Sequence, residues 1–137
     1  MKVHRGKLIG LKRSPYGEED YDSNLEKYYM VELDGMPGVK SWTKKHNIKI
    51  PYHFLFIKRN YLPDFLVEFN DGSKELHETK GLPFLFLWST KLKRVSAEEY
   101  CSKLGWKYKF ITKDKEVFYR NNFLSSALGR IKDISSK

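Results

Sequence analysis

Two carboxylates and a lysine are spaced in a way that suits metal-assisted phosphodiester chemistry. Asp64 follows Pro63, and Glu78 and Lys80 come after a turn at Asp71-Gly72. If antiparallel strands flank this turn, Asp64 and Glu78 meet at the same end of the strand pair. Two converging carboxylates form an oxygen-rich pocket of the kind that binds Mg²⁺ or Mn²⁺.

Lys80 adds a positive charge to this pair. Residues two apart on a strand share a face, so the lysine ammonium lies on the same side as Glu78. The three groups suit phosphodiester hydrolysis, in which a metal polarises the phosphoryl oxygen while the lysine orients water or stabilises developing charge. The alternative is an ordinary ion pair between Glu78 and Lys80 on a solvated strand.

The surrounding pattern predicts the two strands that position these groups. Tyr61–Phe69 alternates apolar and polar residues, Asn70–Gly72 is a hairpin turn, and Lys74–Lys80 is the return strand. Further strands are predicted at Val39–Thr43, Ile48–Tyr52, Phe54–Ile57 and Trp106–Thr112, with Glu116–Tyr119 as a candidate partner of the last.

Two helices are predicted on either side of this strand-rich region. The first has Ser23 as its N-cap and ends at Gly35. The second covers Ser96–Leu104, with Ser96 as N-cap and Glu99 completing a capping box, and a start near Thr90 stays open. Strands and helices in this order predict an α/β domain with a central mixed β-sheet flanked by helices.

The whole chain, residues 1–137, is predicted to be a single domain, because no linker interrupts it and its length suits one core. Residues 1–20 are expected to form an irregular arm, basic and then acidic, with one short strand at Lys7–Leu11. Residues 121–137 have apolar residues at helical spacing and are expected to form a helical C-terminal tail.

The composition indicates a cytoplasmic protein with a polyanionic partner. The chain has 26 Lys and Arg against 17 Asp and Glu, and its net charge of +9 attracts nucleic acid most commonly. The only cysteine, Cys101, excludes an internal disulfide and is expected in the core. The four histidines lack zinc-ligand spacing. We expect no membrane contact, because no apolar stretch approaches the roughly 20 residues of a membrane helix.

The motif Pro63-Asp64 … Glu78-Thr79-Lys80 resembles that of the PD-(D/E)XK restriction-endonuclease-like nuclease superfamily. Its flanking sequence is similar to the TnsA-type branch of transposon and phage nucleases. That branch also has a glutamate on an N-terminal helix, and Ser23-Asn24-Leu25-Glu26 matches its setting here. The resemblance covers about Tyr21 to Thr112, most of the chain.

The resemblance implies a restriction-endonuclease-like fold and a DNA endonuclease that depends on Mg²⁺ or Mn²⁺. Asp64 and Glu78 would hold the metal together with the carbonyl oxygen of Thr79. Lys80 would position or activate the water, and Glu26 would complete the acidic cluster. The products would carry 5′-phosphate and 3′-hydroxyl ends. The pathway would be DNA processing, packaging or junction cleavage in a bacterial, archaeal or phage-infected cell, with cleavage directed by a homodimer or a partner protein.

Two alternatives to this interpretation stay open. Glu26 could serve only as the capping-box partner of Ser23, bonding back to the Ser23 backbone, in which case Glu32 is the next candidate for the acidic cluster. The whole protein could also be a basic DNA-binding or assembly module that keeps the nuclease fold without cutting.

Basic side chains outside the motif are candidates for contact with DNA phosphates. They are Lys44, Lys45, Lys49, Lys58, Arg59, Lys91 and Lys93. Trp42 and Tyr52 lie among the first of them and suit stacking on bases. A solvated charged face is the alternative. His77 stands where the related nucleases usually have an apolar residue, so we expect either a partly exposed strand or a contact between His77 and substrate.

Overall fold

The computed structural model describes residues 5–81, 88–112 and 130–136. These residues form the strands β1 (Arg5–Ile9), β2 (Glu18–Tyr21), β3 (Val39–Thr43), β4 (Ile50–Phe54), β5 (Ile57–Tyr61), β6 (Phe65–Phe69), β7 (Lys74–Thr79), β8 (Lys107–Ile111) and β9 (Lys132–Ser136). The helices are α1 (Asn24–Gly35) and α2 (Trp88–Leu104). Neither helix is both long and apolar enough to span a membrane.

A mixed four-stranded sheet forms the centre of the fold, with the strand order β3-β6-β7-β8. β6 pairs antiparallel with β3 and β7, whereas β8 runs parallel to β7. The predicted hairpin between β6 and β7 is confirmed, and Gly72 in its turn has a φ of +88°, which glycine adopts without strain. The prediction of a central mixed sheet is therefore confirmed.

The two faces of this sheet are covered by different elements. On one face α1 buries Tyr29 against Trp42 and Phe65, and the rings of Tyr29 and Phe65 pack edge to face at 5.5 Å. On the other face Leu76 packs with Cys101 of α2 and with the β4–β5 hairpin. Alternating side chains of β6 and β7 thus contribute to two separate cores, as expected for a sheet between helices.

The α1 helix begins and ends as the sequence predicts. The Ser23 side chain accepts a hydrogen bond from the Glu26 N–H at 3.1 Å, and the helix ends at Gly35. The second helix is longer than predicted. It begins at Trp88, so Ser96 lies inside it and the predicted capping box between Ser96 and Glu99 is wrong.

The prediction of an irregular N-terminal arm is wrong, although its one predicted strand, Lys7–Leu11, overlaps β1. β1 is the middle strand of a three-stranded antiparallel sheet with β2 and β9. The turn between β1 and β2 is held by the buried Asp34 carboxylate, which accepts hydrogen bonds from the backbone N–H groups of Lys12 at 3.0 Å and Arg13 at 2.8 Å. These contacts satisfy backbone donors that the turn leaves without strand partners.

The expected C-terminal helix is also wrong where the structure describes it, because residues 132–136 form β9 instead. Residues 121–129 of the predicted helix and the candidate strand Glu116–Tyr119 lie outside the described residues. The strand β9 pairs with β1 from the opposite end of the chain, and that long-range pairing outweighs the local helical spacing.

Two strand predictions near the motif need correction. The predicted strand Phe54–Ile57 contains the two-residue turn Leu55-Phe56, which joins β4 to β5. The predicted strand Tyr61–Phe69 is interrupted at residues 62–64, so β5 ends at Tyr61 and β6 begins at Phe65. Asp64 therefore precedes β6 directly, at the end of a short connection from the hairpin.

Candidate active site

Asp64 and Glu78 lie next to each other at one end of the β6–β7 pair. Phe65 pairs with His77 in the antiparallel register, which places Asp64 beside Glu78. Thr79 holds Asp64 in place, since its backbone N–H and its hydroxyl each donate a hydrogen bond to Asp64 Oδ2 at 2.9 Å. The Asp64 carboxylate is close enough to Glu78 for its charge to act on the Glu78 carboxyl. The structure thus brings together the two carboxylates proposed as metal ligands.

Glu78 is a buried carboxyl, with only 8% of its surface exposed. Burial, and then the neighbouring Asp64 charge, raises the pKa of Glu78 to about 9. The hydroxyl of Tyr61 donates a hydrogen bond to Glu78 Oε2, and Tyr61 also contacts the Tyr108 hydroxyl at 3.0 Å. This environment shields the Glu78 carboxyl from water, whereas Asp64 is half-buried.

Lys80 lies beside the carboxylate pair, directly after the end of β7. Its charge lowers the pKa of Glu78 against the larger effects of burial and Asp64. Glu78 and Lys80 line a small cavity of about 20 Å³ together with Lys93 and Arg94 of α2. The carboxyl pair is therefore bordered by three basic side chains, which suits a phosphate group approaching the site.

Glu26 faces the same region from the first turn of α1. It lines a second cavity, of about 300 Å³, together with Thr79 and Lys80. Burial, and then the Asp64 charge, raises the pKa of Glu26. Within residues 5–81, 88–112 and 130–136, however, no three His, Cys, Asp or Glu side chains are grouped closely enough to hold a metal ion.

Glu26 also has the bonds of a helix-capping residue. Its Oε1 accepts a hydrogen bond from the backbone N–H of Asp22 at 3.3 Å, and not from Ser23 as the capping box predicts. The same oxygen accepts a hydrogen bond from Lys44 Nζ. Glu32, the other candidate, lies further along α1, and its charge acts on the Tyr29 hydroxyl.

The sequence around these carboxylates matches a known protein family. A family model described as TnsA-like endonuclease N terminal matches residues 36–113, more than half of the chain. The chain belongs to the TnsA-like endonuclease family. The match confirms both the resemblance and the restriction-endonuclease-like α/β fold. No curated protein matches the chain.

The matched range of the TnsA-like family contains Asp64, Glu78, Thr79 and Lys80 but not Glu26, which precedes it. The chain thus carries a nuclease domain whose paired carboxylates lie at the centre of the matched segment. The support for a role of Glu26 in the site therefore comes from its position in the structure and not from the family match.

Lys93 is the candidate DNA contact that lies closest to the TnsA-like motif. Its Nζ is 5.7 Å from the centre of the Tyr61 ring, and it lines the small cavity with Glu78. Burial, and then the nearby Lys80 charge, lowers the pKa of Lys93. Lys91 instead lies over Trp88 at 5.8 Å.

The other candidate DNA contacts differ in whether their charges are already paired within the protein. Lys44 is bound to Glu26 and lies 3.5 Å from Asp22, so its charge is already paired. Lys45 lies 4.7 Å from the centre of the Tyr16 ring. The exposed basic candidates that remain are Lys49, Lys58 and Arg59.

The expectations that Trp42 and Tyr52 stack on bases and that His77 contacts substrate are wrong, because all three side chains are buried. Trp42 is fully buried and donates to the Asp34 carboxylate at 3.1 Å, and Tyr52 is buried under α2, so neither can stack on bases. His77 is buried too, since its Nδ1 bonds the Tyr29 hydroxyl and its Nε2 bonds Glu75 at 2.8 Å. It cannot contact substrate, and β7 is not partly exposed at this point.

Two residues of the TnsA-like site were missed from the sequence. Tyr61 holds Glu78, and only its place three residues before Asp64 could have indicated it. His46 Nε2 donates to the Pro63 carbonyl at 2.6 Å, while His46 Nδ1 accepts the Ile48 N–H at 3.0 Å. This histidine therefore fixes the backbone just before Asp64. No spacing in the sequence points to that contact.

Proposed function

We propose that this TnsA-like chain is a divalent-metal-dependent DNA endonuclease of the transposon type, which hydrolyses phosphodiesters to 5′-phosphate and 3′-hydroxyl ends. One observation carries the proposal: Asp64 and Glu78 lie next to each other beside Lys80. A buried carboxyl next to a second acid, as Glu78 is, is costly unless the two acids share a proton or a cation.

The donor set fits Mg²⁺ or Mn²⁺. Asp64 and Glu78 offer hard carboxylate oxygens, and we include the Thr79 carbonyl oxygen as a third ligand. Mg²⁺ usually keeps several waters and binds through one or two carboxylates, so a cluster of three acidic residues is not required. His, Cys and Met side chains, which would favour softer metals, are not part of the proposed ligand set.

When bound, the cation would polarise the scissile phosphate and lower the pKa of a bound water. Lys80 would hold the attacking water or stabilise the negative charge that develops on the phosphoryl oxygens. Water attacks phosphorus, and the bond from phosphorus to the 3′ oxygen breaks. The leaving oxygen takes up a proton, which gives the 3′-hydroxyl. Lys93 and Arg94 lie where they can bind the neighbouring phosphate.

A homodimer or a partner protein is part of the proposal, because one such site cuts one strand at a time. A chain acting alone would convert supercoiled plasmid mainly to the open circle. Linear product in the first turnover would indicate two sites acting together.

The test is incubation of supercoiled plasmid with the protein in Mg²⁺ or Mn²⁺ and, separately, in EDTA. We expect cleavage only with the metal, and its loss in Asp64→Ala and Lys80→Ala. The matched control is Lys107→Ala, which removes an exposed lysine from β8, with thermal unfolding run on every variant. Full cleavage by either site variant, or cleavage in EDTA, would contradict the proposal. Plasmid binding without cleavage would favour the non-cutting DNA-binding module.

A further inference from the structure

The turn of the β4–β5 hairpin exposes large apolar side chains in an unfavourable backbone conformation. Leu55 and Phe56 are 73% and 103% exposed and have φ values of 51° and 65°. A two-residue turn with both φ values positive usually carries Asn-Gly or a similar pair. Bulky residues in this left-handed conformation carry a backbone strain that glycine does not. The tip therefore combines an unfavourable backbone conformation with apolar side chains exposed to water, and folding requires neither.

The hairpin is firmly connected to the candidate active site. Its stem packs against α2 through the buried Ile50 and Tyr52. Its last residue, Tyr61, bonds Glu78. A strand rises about 3.3 Å per residue, so the chain from Phe56 to Asp64 spans at most about 26 Å. A B-DNA strand rises about 3.4 Å per nucleotide, which puts the tip within about 8 base pairs of the phosphate at the site.

The charges around the tip favour a polyanion as its partner. Residues 35–63 contain no Asp or Glu. On β5, Lys58 and Arg59 follow the tip after the exposed Ile57 and are themselves exposed, and Lys49 is exposed at the base of the hairpin. A nucleic-acid duplex has an apolar interior between two rows of phosphates. An apolar tip flanked by cations therefore complements a duplex better than it complements an apolar protein surface.

We propose that the hairpin tip, Leu55 and Phe56, inserts between base pairs of a DNA duplex bound at the active site, while Lys58 and Arg59 contact the flanking phosphates. The inference rests on the proposed function for its substrate. Apolar side chains inserted at a base step kink the duplex by about 20–90°. The preferred substrate is then a duplex with an easily unstacked step, such as a pyrimidine–purine step or a mismatch, within about 8 base pairs of the cleaved bond.

The test uses a duplex labelled with a donor and an acceptor dye at its two ends, in EDTA so that it stays intact. We expect saturating wild-type protein to raise the energy transfer between the ends. The double variant Leu55→Asn/Phe56→Gly should abolish this rise and weaken binding about tenfold. It should leave the dependence of log K on log salt unchanged, because the phosphate-binding cations are retained.

The double variant cannot fail merely by unfolding, since Asn-Gly suits the turn and we expect a higher melting temperature than in the wild type. The matched control is Leu104→Asn, at an exposed apolar residue that ends α2. It should bend the duplex as the wild type does.

Each outcome decides the inference. Equal bending by the wild type and the double variant overturns it. So does a wild type that leaves the duplex straight but self-associates in sedimentation through the tip, which would assign the tip to a protein contact. Bending that depends on the tip supports the insertion even if no metal supports cleavage, and then only the proposed hydrolysis fails. If the protein cleaves DNA with metal but the wild type and the double variant bend the duplex equally, the insertion is rejected and the proposed hydrolysis stands.

Discussion

The hydroxyl of Tyr61 donates a hydrogen bond to the carboxyl group of Glu78. Tyr61 ends the β4–β5 hairpin, whereas Glu78 lies on β7 in the central sheet. Together with the contact between the Tyr61 and Tyr108 hydroxyls, this bond joins two sheets that share no strand pairing among the described residues. It also orients one of the two carboxylates on which the proposed chemistry depends.

Tyr61→Phe should therefore impair catalysis more than folding. The variant keeps the buried ring and loses only the hydroxyl, which bonds Glu78 and Tyr108. Partners of this kind contribute about 10–100-fold to metal affinity or activity. We expect plasmid cleavage to fall by that factor and to recover partly at higher Mn²⁺. Tyr16→Phe, at an exposed tyrosine, is the control. Cleavage by Tyr61→Phe at the wild-type rate would show that the bond does not position Glu78.

Thr79→Val tests how Asp64 is oriented. The variant removes the hydroxyl donor to Asp64 Oδ2 and leaves the backbone donor in place. We expect a loss of about 1 kcal/mol in the free energy of unfolding and about tenfold in cleavage rate. Thr79→Ser keeps the hydroxyl and should retain most of the activity. If the serine variant loses as much as the valine variant although it keeps the hydroxyl, the hydrogen bond from the hydroxyl to Asp64 does not account for the loss.

Variants of Glu26 and Ser23 distinguish a role in catalysis from a role in helix capping. Ser23→Ala removes the cap that accepts the Glu26 N–H and should cost about 1 kcal/mol of stability with cleavage retained. Glu26→Gln keeps the size of the side chain but removes the charge that acts near Asp64. We expect cleavage to fall at least about 100-fold. Equal cleavage by the two variants would make Glu26 a structural residue only.

Cys101 should be an inert thiol in the folded protein. It is buried against Leu76, and burial raises the pKa of its thiol from 9.0 to about 11. The thiolate is the reactive form, so a higher pKa leaves less of it at pH 8. We expect Ellman's reagent to react at least about 100-fold faster in urea than in buffer. Because the chain has one cysteine, the signal is unambiguous. Equal rates would place Cys101 outside the core.

Local patterns were sufficient to predict the elements that carry the motif. Ser23 and Gly35 mark the ends of α1, and the Asp-Gly turn fixes the β6–β7 hairpin with Asp64 beside Glu78. These features depend on residues close in sequence. Capping and turn preferences act at that range.

Features that depend on distant partners could not be predicted in this way. β9 pairs with β1 across almost the whole chain, and Tyr108 reaches Tyr61 only because β8 runs parallel to β7. Trp42 lies among lysines in the sequence, yet its indole is buried because Asp34 provides a buried acceptor. A pattern of residue types does not reveal such an acceptor in advance.

The most direct test of the central claim is a crystal soaked in Mn²⁺ and measured at a wavelength where manganese scatters anomalously. We predict an anomalous peak about 2.1–2.3 Å from carboxylate oxygens of both Asp64 and Glu78, with the Lys80 ammonium close by. The peak should vanish in Asp64→Ala. Carboxyl groups that remain next to each other, with no peak between them at saturating Mn²⁺, would contradict the account.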